Sequence, residues 1–125
     1  MSIIKKQSEL HEDMVTWRHH IHKHPELSFK EDLTSDYIAA VLEANGIEMH
    51  RGLAVTGIVA TIHGKKEGRV IGLRADMDAL PIQEKNDFSH KSVHDGKMHA
   101  CGHDGHSTML LGAAVHLKEN NNFSG

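Results

Sequence analysis

The sequence predicts an α/β fold with helices packed on a sheet, and three observations carry that prediction. Apolar residues recur at helical spacing in three separate stretches. Two short segments, residues 57–63 (GIVATIH) and 69–74 (RVIGLR), are rich in Val and Ile and flanked by turn residues. The order is helix, helix, two strands, a carboxylate-bearing loop, a histidine-rich loop and a final helix, with no internal repeat or linker.

Taken in order, Leu10, Met14, Trp17 and Ile21 form one face of the first helix. Pro25 stops it near His24, because the residue before a proline is pushed out of the helical region. His19, His20, His22 and His24 then lie at the C-terminal end, where the helix dipole favours cations, and a structural role is expected of them. Ser28-Phe29-Lys30-Glu31 reads as a capping box opening the second helix. Leu33, Tyr37, Val41 and Ala44 would face inward there, and Asn45-Gly46 would end it. Residues 64–68 (GKKEG) suit a hairpin between the two Val/Ile segments. The second segment runs into residues 75–81 (ADMDALP), placing Asp76 and Asp78 beyond a strand end, where α/β sheets commonly keep their chemistry. Residues 83–98 read as a polar loop. Asp104 or Gly105 is expected to cap the last helix, with Met109, Leu110, Ala113, Ala114 and Leu117 inward.

Composition narrows the function classes. The chain has 125 residues, 25% charged and 38% hydrophobic, which fits one globular domain. Its formal charge of -3 argues against nucleic acid or an anionic membrane as partner. No apolar run approaches the ~20 residues of a membrane-spanning helix, and MSIIKKQSEL lacks the apolar core of a signal peptide. The single cysteine cannot form an internal disulfide, so a reducing, cytoplasmic setting is expected. Residues 120–125 (NNNFSG) read as a turn leading into a further strand, so the chain is expected to be the front of a longer protein, and association or poor solubility is expected if it is expressed alone.

Chemistry concentrates in residues 99–106 (HACGHDGH), which hold three histidines, an aspartate and the only cysteine. Imidazole and thiolate are good ligands for zinc-like ions, and carboxylate adds an oxygen donor. Cys101 and His103, two apart, would share a face in an extended segment and so could share an ion. The bland alternative is a structural thiol beside a solvated histidine. Asp76 and Asp78 are also two apart; one could bind metal or orient a ligand histidine, or both could lie in a solvated turn. His106 could face either the site or solvent. No Gly-rich phosphate loop or Gly-x-Ser-x-Gly nucleophile elbow is present.

Three segments, residues 18–29 (RHHIHKHPELSF), 73–81 (LRADMDALP) and 98–106, resemble in order the metal-dependent amidohydrolases that include hippurate hydrolase, aminoacylase-type N-acyl-amino-acid amidohydrolases and auxin-conjugate hydrolases, relatives of zinc carboxypeptidases and aminopeptidases. The resemblance implies part of a metallopeptidase-like catalytic domain with helices on a mixed sheet, spanning residues 1–125 as one partial domain. It implies that Cys101 and His103 contact a centre of two divalent ions, manganese or zinc. Related metallopeptidases keep a histidine where this chain has Asp76, so direct ligation does not transfer to that residue, and Asp78 is read as orienting a ligand. Family members are far longer: a downstream glutamate general base, the remaining ligands and an inserted lid or dimerisation domain have no counterpart in this sequence.

The resulting expectation is hydrolysis of the amide bond of N-acyl amino acids, giving a carboxylic acid and a free amino acid, with small-molecule substrates and a possible homo-oligomer. The chain alone is expected to bind metal weakly and to hydrolyse little. A His-rich metal-binding or regulatory module without catalysis is the alternative, and a Glu-Glu pair in coding sequence beyond Gly125 would discriminate the two. A cysteine-nucleophile hydrolase built on Cys101 is a third reading.

Overall fold

The computed structural model describes residues 3–125, with side chains described from Leu10 onward. Its elements are α1 (Ile3–Lys23), α2 (Asp32–Ala44), β1 (Glu48–Leu53), β2 (Gly57–Thr61) and α3 (His103–Glu119).

α1 ends two residues before Pro25, which is fully buried. Ile21 sits at the centre of a core with Ile38, Leu42, Ile47, Leu111 and Val115, against which Leu10, Trp17, Tyr37, Val41 and Ile58 pack. Removing each such aliphatic side chain from water is worth about 1.5–3 kcal/mol, so this cluster is what holds the three helices together. α1 and α3 approach closely at Gly112, where an added Cβ would lie 2.6 Å from Met14 Sδ.

The inward faces of α2 and α3 are rotated one residue from the expected ones. α2 buries Thr34, Ser35, Ile38, Ala39 and Leu42, while Leu33 is exposed. α3 buries Asp104, Ser107, Thr108, Leu111, Gly112 and Val115, and Met109 is exposed. Each rotation seats small polar residues with partners inside. Thr108 Oγ1 donates to Asp104 O at 2.7 Å and Ser107 Oγ to Asp76 O at 2.9 Å. An apolar count alone does not weigh such satisfied hydroxyls.

The caps also differ. The first residues of α2 receive no capping side chain from Ser28 or Glu31. Glu26 takes the role, accepting from the Leu33 and Thr34 amides at 3.3 and 2.7 Å and from Thr34 Oγ1 at 2.8 Å. Phe29, at φ 63, turns the chain back so that this reach is possible. At the other end, Gly46 (φ 63) and the Ile47 amide close on Glu43 and Leu42 carbonyls, as Asn45-Gly46 predicts. α3 begins one residue before the expected cap, and Asp104 is instead buried within its first turn.

The hairpin is formed by different partners. β2 pairs antiparallel with β1, Glu48 opposite Thr61 and Arg51 opposite Ile58, not with residues 69–74. Its turn carries Ala54 and Val55 at positive φ, with Gly57 pressed against Leu53 O. Residues 64–68 pair instead with the chain end, Lys66 bridging Ser124. Residues 69–74 form no strand, and Val70, Ile71 and Leu73 are 94%, 82% and 60% exposed. High strand propensity makes a strand only where another edge supplies ladder hydrogen bonds; none of the described residues does so here.

Candidate metal centre

Residues 75–78 reach the site as an irregular segment tied down at its C-terminal end. The Ala79 amide donates to Glu26 O at 2.7 Å, and Leu80 and Met98 exchange two hydrogen bonds of 3.0 Å. The clamp sets Asp76 and Asp78 beside the start of α3. The preceding Gly102 has φ 104, a left-handed conformation glycine adopts without strain, and it turns the chain into the helix. His103 therefore projects from the first residue of α3, toward the aspartates.

His103 is held firmly. Its Nδ1–H donates to Asp78, with Oδ1 and the carbonyl oxygen both at 2.9 Å. Because both partners only accept, the proton sits on Nδ1 and the Nε2 lone pair is left free. Nε2 is 3.7 Å from Asp76 Oδ1, and the same oxygen accepts from His106 Nδ1 at 3.2 Å. One ligand atom each from Asp76, His103 and His106 fall within 4.8 Å of one another. The bond from His106, then one from its own amide, hold the Asp76 carboxyl below the usual carboxylate range, so it faces the histidines ionised. Two imidazoles and a carboxylate suit a zinc-like or manganese-like ion.

Asp78 and His103 thus meet directly. Cys101 is exposed and stands outside the three-residue group. The extended-segment argument for a shared face of Cys101 and His103 does not hold, because a bend at Cys101 and the helix at His103 break strand alternation. Asp76 and His106 lie in this group, although the sequence reading withheld direct ligation from Asp76 and left His106 open. A signal for His106 was available: His103 and His106 are three apart in a helix, hence neighbours on one surface.

A second polar cluster lies behind α3. His22, Glu84 and Asp104 are all buried. His22 Nδ1 lies 2.9 Å from Asp104 Oδ2 and its Nε2 3.0 Å from Glu84 Oε1, and Arg18 Nε adds a 3.4 Å contact to Asp104. Burial alone would raise the Glu84 carboxyl, but hydrogen bonds from His22, Asn86 and the Ser92 amide bring it down to about 2. His99, nearly inaccessible beside this cluster, is pushed by burial down to about 4 and is a neutral imidazole. Of the four histidines at residues 19–24, His22 thus has the structural role expected of them, and Glu84 had no sequence signal because its partner lies 62 residues away.

The chain superposes on the YXEP protein of Bacillus subtilis, a dinuclear metal binding peptidase from the M20 family, with TM-score 0.88 and 42% identity, covering 91% of this chain and 32% of that one. Residues 72–124 match Peptidase family M20/M25/M40. The chain is 50% identical over 107 residues to the N-acyl-L-amino acid amidohydrolase of Geobacillus stearothermophilus, covering 85% of this chain and 29% of that protein. It is 52% identical over 114 residues to IAA-amino acid hydrolase ILR1-like 2 of Arabidopsis thaliana, covering 91% and 26%. The chain is similar to these hydrolases over most of its own length, and it spans less than a third of the length of these relatives.

Proposed function

We propose that residues 1–125 are part of one catalytic domain of an amidohydrolase that cleaves N-acyl amino acids, and that they contribute ligands to a centre of two divalent ions, manganese or zinc. The observation that carries this reading is the Asp78–His103 hydrogen bond of 2.9 Å, which leaves the His103 Nε2 lone pair free beside Asp76 and His106. In this reading His103 and Cys101 are metal ligands, with Asp76 and His106 close enough to share the ion. Ions bound there would polarise an amide carbonyl and acidify water.

The chain's own residues have defined parts. Asp78 keeps the proton of His103 on Nδ1 and fixes the ring. Asp76, ionised and bonded to His106, balances positive charge in the site. The glutamate base that the family resemblance implies has no counterpart in residues 1–125, so this chain by itself hydrolyses little or nothing. The substrate class follows the relatives, small N-acyl amino acids. A cytoplasmic location accords with the single unpaired cysteine, and self-association with the exposed apolar segment at residues 69–74. No helix among the described residues is long and apolar enough to cross a membrane.

The test pairs hydrolysis of hippurate and N-acetylmethionine, with Mn²⁺ or Zn²⁺ present, with calorimetric titration of the same ions. The chain and its Cys101→Ala variant are compared. Metal binding that weakens in the variant, without turnover by either, is expected. Metal-dependent turnover by the chain alone overturns the account of the missing base, and no metal binding by the chain overturns the reading as a whole.

A further inference from the structure

The buried histidine behind the site is tied to the metal-facing one through the backbone of α3. His103 and Asp104 are consecutive, so whatever fixes the Asp104 carboxylate fixes the first turn from which His103 projects. That carboxylate is 1% exposed and is gripped by His22 Nδ1 at 2.9 Å, while the other ring nitrogen of His22 is bonded to Glu84 at 3.0 Å. Glu84 is bonded in turn to the Ser92 amide and to Asn86. The chain of contacts Glu84–His22–Asp104 therefore joins α1, the polar loop and α3 at one point. A simple packing contact would not need a doubly bonded imidazole between two buried carboxylates, because removing either partner would leave a charge buried and unpaired.

From this geometry we infer that His22 is a positioning residue for the metal centre: by holding Asp104 against Glu84 it sets the start of α3 so that His103 Nδ1–H meets Asp78. The inference rests on the reading of His103 as a metal ligand only in its second consequence, the effect on metal affinity. Its first consequence, the orientation of the His103 ring, is independent of any ion.

The experiment uses the whole chain, a His22→Gln variant, and Glu31→Gln as a control. Glu31 is also buried and bonded, to Thr56 Oγ1 at 2.8 Å, but serves the start of α2. NMR of the metal-free proteins follows the His103 Nδ1 proton, which the bond to Asp78 shields from exchange, and calorimetry follows Zn²⁺ binding. Loss of that proton signal and a roughly tenfold weaker Zn²⁺ affinity in His22→Gln, with neither change in Glu31→Gln, is the expected result; partners of ligand histidines are typically worth 10–100-fold in affinity. An unchanged His103 signal in a folded His22→Gln variant overturns the inference, as does an equal change in both variants. If His22→Gln does not fold, Glu84→Gln, which weakens the far end of the same chain, is read in the same way. A wild-type chain that binds no Zn²⁺, while His22→Gln alone still loses the His103 signal, sinks the metal reading and leaves the positioning role standing.

Discussion

Asp78 and His103, 25 residues apart in sequence, meet through a 2.9 Å hydrogen bond from the imidazole Nδ1–H to the carboxylate. The bond decides which nitrogen of His103 is free and where it points. A segment anchored at Ala79 and Leu80 and the first residue of a helix each supply one side.

Asp78→Asn removes the charge that orients the ring. Zn²⁺ affinity should fall 10–100-fold while the fold is retained. Titration calorimetry beside a thermal melt checks this, and an unchanged affinity would mean the bond has no bearing on metal binding.

Cobalt substitution separates the thiolate from the imidazole ligands. If Cys101 binds the ion, the Co²⁺ form shows a thiolate charge-transfer band that Cys101→Ala abolishes, whereas His106→Ala keeps the band and lowers affinity. A Co²⁺ spectrum without that band in the wild-type chain would assign the ion to Asp76, His103 and His106 alone.

Gly102→Ala forces a side chain onto φ 104, though nothing crowds the position. The cost is therefore purely conformational, about 1–3 kcal/mol. Chemical denaturation should show that loss, with weaker Zn²⁺ binding, because the same residue aims His103.

Stability should fall in acid because of Glu84. Its carboxyl stands at about 2 in the folded chain against an ordinary 4.5, so the stabilisation is complete above 4.5 and is lost as pH falls from there through 2. The shift corresponds to about 3 kcal/mol. Urea melts should show Glu84→Gln less stable than wild type by this order at pH 7, and the gap should close near pH 2. A gap that persists at pH 2 would show that packing, and not the ionised carboxylate, is what the variant loses.

Val70, Ile71 and Leu73 present an apolar, unpaired segment to solvent, a combination that favours edge-to-edge association. Light scattering behind size exclusion should show concentration-dependent self-association, reduced in Ile71→Lys. A wild-type chain that stays monomeric at high concentration would remove the basis for this expectation.

Much of this was legible in residue order because it is local. Pro25 and Asn45-Gly46 end their helices where the sequence says, since backbone sterics act within a few residues. The donor types in residues 99–106 and the paired aspartates were legible as side-chain identity alone. The faces of α2 and α3 were misread by one position because hydrogen-bonded Ser35, Ser107 and Thr108 are as comfortable inside as a leucine once partners exist. Residues 69–74 carry a strand's composition without a strand's pairing.

The sequence by itself determined the kinds of donor available, the helices that carry them and the family that the chain resembles. Only the tertiary structure decided that Asp78 grips His103, that Asp76 and His106 join them, and that His22 stands between Asp104 and Glu84. Those contacts join residues 25 to 82 positions apart. Helical and strand periodicity reach only a few residues, so distances of that kind are set by packing the core around Ile21 and Leu111, not by any local pattern.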